Sequence, residues 1–93
     1  MTKKDQTAAI IANRQSTHGV FLDSAKTMQA IKEIMRATPN WATMADYQKE
    51  ALDLFAHKMG RIGHGDSCFC DHWDDVSGYA VRVSKTIKGD MSP

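Results

Sequence analysis

Lys58-Met59-Gly60-Arg61-Ile62-Gly63-His64-Gly65-Asp66-Ser67-Cys68-Phe69-Cys70-Asp71-His72-Trp73-Asp74-Asp75-Val76-Ser77-Gly78-Tyr79 is the stretch that decides the fold. It reads as the end of one helix, a polar loop, and the start of another. Gly63 and Gly65 release the first helix. The second starts near Asp71, where Trp73, Val76, Ala80, Val83 and Ile87 recur at a spacing of three and four residues. A loop this short makes the two helices antiparallel neighbours. Lys58 then lies about one turn before the end of the first, and Asp75 about one turn into the second. At ~1.5 Å of rise per residue they share one height.

Lys58 projects between Ala51, Leu54 and Ile62, inside an apolar stripe. An ammonium there must snorkel to water or find a carboxylate. Arg61 shares its side of the helix. Asp71 and Asp75 are stacked four apart and repel each other, so a cation is expected beside them: Lys58, Arg61, Arg14 or a metal ion. Gly78 costs about 1 kcal/mol in a helix interior relative to alanine, which suggests close approach by another backbone or a ligand. Two readings follow. The charges form an ion-pair network that fixes helix register, or they wall a pocket near Tyr79.

Outward from this hairpin the chain is all-α. A short N-terminal helix is expected over about 5–15, broken by Ser16-Thr17-His18 and stopped at Gly19. A second runs over about 23–37, capped by Asp23 or Ser24, with Met28, Ile31, Ile34 and Met35 on one face. Thr38-Pro39-Asn40 ends it. A third runs over about 43–62 from the box-like Thr43-x-x-Asp46, and the fourth over about 71–88, stopped by Gly89. The expected architecture is a compact bundle of three main helices plus the short one, in a single domain 1–93 with loose ends at about 1–4 and 90–93.

Ninety-three residues with a net charge of +1 exclude several classes. No basic face appears, so duplex nucleic acid is not favoured. No apolar run approaches the ~20 residues needed to span a bilayer, and the N-terminus lacks the apolar core of a secretory signal. The expected location is the cytoplasm, where Cys68 and Cys70 would be free thiols or metal ligands. So small a core is often completed by association, and a homo-oligomer is expected.

Lys58-x-x-Arg61-Ile62, followed by Asp71-x-Trp73-x-Asp75-Val76-x-Gly78-Tyr79-Ala80, resembles a family of small phage and prophage proteins of unknown function. Arg14-x-x-x-His18-Gly19-x-Phe21 resembles that family's N-terminal segment, and the likeness runs from about residue 10 to 83. Asn13 and Val20 stand where acidic residues are expected. More distantly, Asp71-x-x-x-Asp75 followed by Tyr79 resembles the all-α nucleoside triphosphate pyrophosphatases (MazG-like). That likeness implies magnesium held by carboxylates against a nucleotide's phosphates. The family's paired glutamates are not clearly present; Glu50-x-x-Asp53 is the nearest candidate and points away from the apolar face.

Three functional expectations follow. The first is a phage-encoded accessory protein in the host cytoplasm that binds a nucleotide-like or phosphorylated small molecule without catalysis. Arg14, His18, Lys58 and Arg61 would meet phosphates, and Trp73 or Tyr79 would stack on a base. The second is a magnesium-dependent nucleotide pyrophosphatase using Asp71 and Asp75; no catalytic residue beyond these is assignable. The third is a module that binds and modulates a host protein. His64, Cys68, Cys70 and His72 are four candidate zinc ligands within nine residues. Zinc is disfavoured, because structural sites draw ligand pairs from separated segments.

Overall fold

A computed structural model describes residues 2–90. Four helices follow in order: α1 Lys3–His18, α2 Phe21–Arg36, α3 Asp46–His64 and α4 Cys70–Lys88. A short 3-10 turn, Trp41–Thr43, joins α2 to α3, and no strand occurs among the described residues. The helical-bundle expectation is met.

The element ends differ from the sequence reading for local reasons. Lys3 and Lys4 are helical, because Thr2 and Asp5 close a capping box. Ser16, Thr17 and His18 stay in α1. The Ser16 and Thr17 hydroxyls bond back to the Asn13 and Arg14 carbonyls instead of competing for the helix. Gly19 ends α1 with φ +84°, a left-handed value that favours glycine. Ser24 does not cap α2; its hydroxyl donates to the Val20 and Phe21 carbonyls from within the helix. Thr43 belongs to the 3-10 turn, and α3 begins after Ala45, whose N–H donates to Gln48 Oε1 at 2.9 Å. Gly63 lies inside α3, and Gly65 follows its end. The loose C-terminal end lies, past Asp90, outside the described residues.

α3 is the centre of the bundle. It packs mainly against α2 on one side and α4 on the other. Met28 of α2 seats against α3 where Ala56 and Gly60 are small and buried. On the α4 side, Ala51 is buried and Lys58 is only 8% exposed. Lys58 Nζ lies 2.6 Å from Asp75 Oδ2, so the lysine in the apolar stripe has its carboxylate. The bond and charge of Lys58 hold the Asp75 carboxyl below its ordinary pKa.

α1 touches this layer only at its C-terminal end, and none of its residues is buried. The joint is polar. The His72 imidazole, 2% exposed, donates to the Thr17 carbonyl at 2.8 Å. The Asp66 N–H donates to the same oxygen at 3.0 Å. Gly65 has no Cβ where one would collide with Thr17. His18, Phe69 and His72 pack ring to ring, Phe69 stacked on His72 at 5.0 Å.

Two outcomes are expected in urea unfolding. His72→Ala removes a fully buried ring together with its bond to the Thr17 carbonyl and costs about 2–4 kcal/mol. Asp75→Asn lowers the midpoint by stranding the Lys58 charge, whereas Lys58→Met restores it in the double variant, because the buried stripe position then carries no charge that needs a partner. A midpoint unchanged by Asp75→Asn would show that the pair carries no structural weight.

Candidate functional site

A pocket of about 270 Å³ opens where α1, α2 and α3 meet. Two i,i+4 pairs converge on it, Arg14 with His18 on α1 and His57 with Arg61 on α3. Ile11, Phe21 and Met28 supply its apolar wall. The N-terminus of α2, which has no side-chain cap, borders it at Gly19, Phe21 and Ser24. Uncapped helix N–H groups carry partial positive charge and suit an anion.

The electrostatics of the pocket are one-sided. Burial, then the Arg14 charge, pulls the Arg61 pKa down, with Asp75 opposing. Burial and the Arg61 charge lower the His18 imidazole, and the same two causes lower His57. Both guanidiniums remain charged at neutral pH. Neither Arg14 nor Arg61 has an ion pair within 4.0 Å among the described residues. An anion entering the pocket would relieve this repulsion.

The structure divides the residues expected to bind a ligand. Arg14, His18 and Arg61 share the pocket. Lys58 does not line it and is taken by Asp75. Tyr79 lies on the far side of the α3–α4 seam, lining a groove with Tyr47 and Leu54, and Arg82 sits 5.9 Å over its ring. Trp73 donates its indole N–H to the Ser67 carbonyl at 2.8 Å and braces the loop. The aromatic ring at the pocket is instead Phe21, which is largely exposed. His57 and Phe21 were missed. The His57-x-x-x-Arg61 spacing was the available signal for the first, hidden by the neighbouring Lys58.

The metal candidates are dispersed. No group of three or more histidine, cysteine or carboxylate side chains placed to hold a metal occurs among the described residues. Asp75 is engaged by Lys58, and Asp71 is exposed on the next turn outward. His72 turns inward to Thr17, His64 Nε2 meets the Thr27 hydroxyl at 2.7 Å, and Cys68 and Cys70 are exposed free thiols. Gly78 approaches no neighbour; a Cβ there would meet open space.

No family model, curated protein or solved structure matches the chain. No described helix is long and apolar enough to cross a membrane.

The lowered histidines predict an acid-sensitive fold. The unfolded chain binds protons at the ordinary histidine pKa of 6.5, whereas folded His18 and His57 bind them only at lower pH. Their contribution to stability is therefore complete above pH 6.5 and is lost as pH falls through the folded values. The melting temperature should drop across that window. Arg61→Gln, which removes a named cause of both shifts, should flatten the drop. An equal slope in wild type and variant would contradict the assignment.

Proposed function

We propose that this chain is a non-catalytic binder of a small phosphorylated molecule, of the nucleotide-like class. The observation that carries the reading is the convergence of Arg14, His18, His57 and Arg61 on one pocket in which neither arginine has an ion-pair partner. Two guanidiniums held together cost free energy in the empty protein. A phosphate repays that cost through bidentate, charge-assisted hydrogen bonds. Ile11, Phe21 and Met28 give the rest of such a ligand an apolar surface, and Phe21 offers a ring for stacking on a base.

The volume limits the ligand. Pockets that enclose drug-sized molecules run from about 300 Å³ upward. This one takes a phosphoryl group and part of the body attached to it. The remainder of a nucleotide would lie across the exposed Phe21 at the mouth.

The resemblance to small phage proteins supports a further part of the proposal, that the chain is a phage-encoded accessory protein acting in the host cytoplasm. Sequestering or sensing a phosphorylated metabolite needs no chemistry, and a binding pocket without gathered metal donors suits it. A pyrophosphatase reading would require Asp71 and Asp75 to act with carboxylates from another helix, and Asp75 is already bonded to Lys58.

Thermal unfolding with a panel of nucleoside mono-, di- and triphosphates, cyclic dinucleotides and inorganic phosphate tests the proposal. At least one ligand should raise the melting temperature, and ligand at a hundred times its Kd adds about 2.7 kcal/mol. Arg61→Ala and Arg14→Ala should each weaken binding roughly 10- to 100-fold, the worth of one charged hydrogen bond. Added salt should weaken it as well. A panel with no stabilising member overturns the proposal.

A further inference from the structure

On the side of α3 away from the pocket, the bundle is open. Phe55 and Met59 lie about 200° around the helix from His57 and Arg61, two residues on. Leu52 and Phe55 line an apolar groove of about 290 Å³ together with Met44 of the α2–α3 connection and with Ala80 and Val83 of α4. Met59, one turn beyond Phe55, is 51% exposed.

The exposed edge of α4 beside this groove is patterned. Trp73, Ser77, Ala80, Ser84 and Ile87 are spaced four, three, four and three apart, the spacing of a helix–helix seam. Its ends are large and exposed, Trp73 at 54% and Ile87 at 63%, and its middle is small. Among the described residues α4 packs mainly against α3, along the stripe of His72, Val76 and Val83, which leaves this edge exposed.

We infer that a second copy of this chain occupies this face, its α4 lying antiparallel along the first and crossing at Ala80. The charges beside the seam specify the partner's direction. Asp74 follows Trp73 at one end and Lys88 follows Ile87 at the other, whereas Asp71, Asp75 and Arg82 lie on the opposite side of α4, where Asp75 is bonded to Lys58 and Arg82 lies over Tyr79. Antiparallel copies set each Asp74 beside the other's Lys88, twice over; parallel copies set like against like. About Ala80, Trp73 faces Ile87 of the second copy and Ser77 faces its Ser84. A two-fold axis through Ala80 makes the contact self-complementary and closed. The small central residues let the backbones approach. The pockets on the opposite face stay open, so the inference stands apart from the ligand reading.

Sedimentation equilibrium of the full chain gives the first test, with twice the 10.3 kDa chain mass expected. Ala80→Glu should return the mass to that of one chain with helical circular dichroism unchanged, because Ala80 is exposed in the isolated chain. The direction is read by cross-linking in a Cys68→Ser/Cys70→Ser background. Ala80→Cys should oxidise to a covalent dimer. Ser77→Cys mixed with Ser84→Cys should cross-link more than ten times faster than either alone. A monomeric wild type, whose apolar face then serves a different partner, overturns the inference. So does a dimer that survives Ala80→Glu and fails to cross-link through Ala80→Cys.

Discussion

Lys58 leaves α3 inside the apolar stripe that faces α4, and its ammonium ends 2.6 Å from the Asp75 carboxylate. A lysine so placed has few alternatives. It is too far inside the seam to be fully hydrated, and an unpaired charge there would oppose packing of the two helices. The pair therefore fixes one register between α3 and α4. That register places the connecting loop where the Thr17 carbonyl receives both the Asp66 N–H and the His72 imidazole. α1, which buries no residue of its own, is held by this joint.

The same pairing decides which charges are left over. With Lys58 satisfied, Arg61 one turn on has no ion pair of its own among the described residues and feels Arg14, with Asp75 opposing. The docking of α1 brings His18 beside them, and His57 completes the group. Lys58, expected to meet a phosphate, is thus engaged by Asp75 outside the pocket, and Arg14, His18, His57 and Arg61 line the pocket without it. The central layer has two unlike faces in consequence. One is charged and concave against α1, and the other is apolar and uncovered. A maximum extent of 51 Å, against 24 Å in the thinnest direction, reflects this flat arrangement and the projection of α1 beyond it.

Much of the fold was legible because helical periodicity is a local signal. The α3–α4 hairpin, the odd placement of Lys58 and the level of Asp75 opposite it all follow from residue spacing. Helix ends were less legible: Thr43 and Ser24 carry cap chemistry, but their hydroxyls bond back to backbone carbonyls three or four residues earlier. For the site, Arg14, His18 and Arg61 were found as residue types, whereas their assembly depends on where α1 docks. That joint is made by a backbone carbonyl and two glycines, which leave almost no pattern in sequence. Tyr79 and Trp73 were placed near phosphates because they follow the acidic pair. The structure puts them on other faces of α4, and the aromatic ring that lines the pocket is Phe21, the first residue of α2.

The proposed function requires the pocket to hold positive charge that no described side chain neutralises. The most direct measurement is the pH titration of the His18 and His57 ring protons by NMR, in the free protein and with a phosphorylated ligand added to saturation. Both should titrate below the ordinary histidine value in the free protein, and both should move upward on binding, as an anion replaces the repulsion from Arg14 and Arg61. Ordinary titration in the free protein, or resonances that ignore every phosphorylated ligand, would contradict the account.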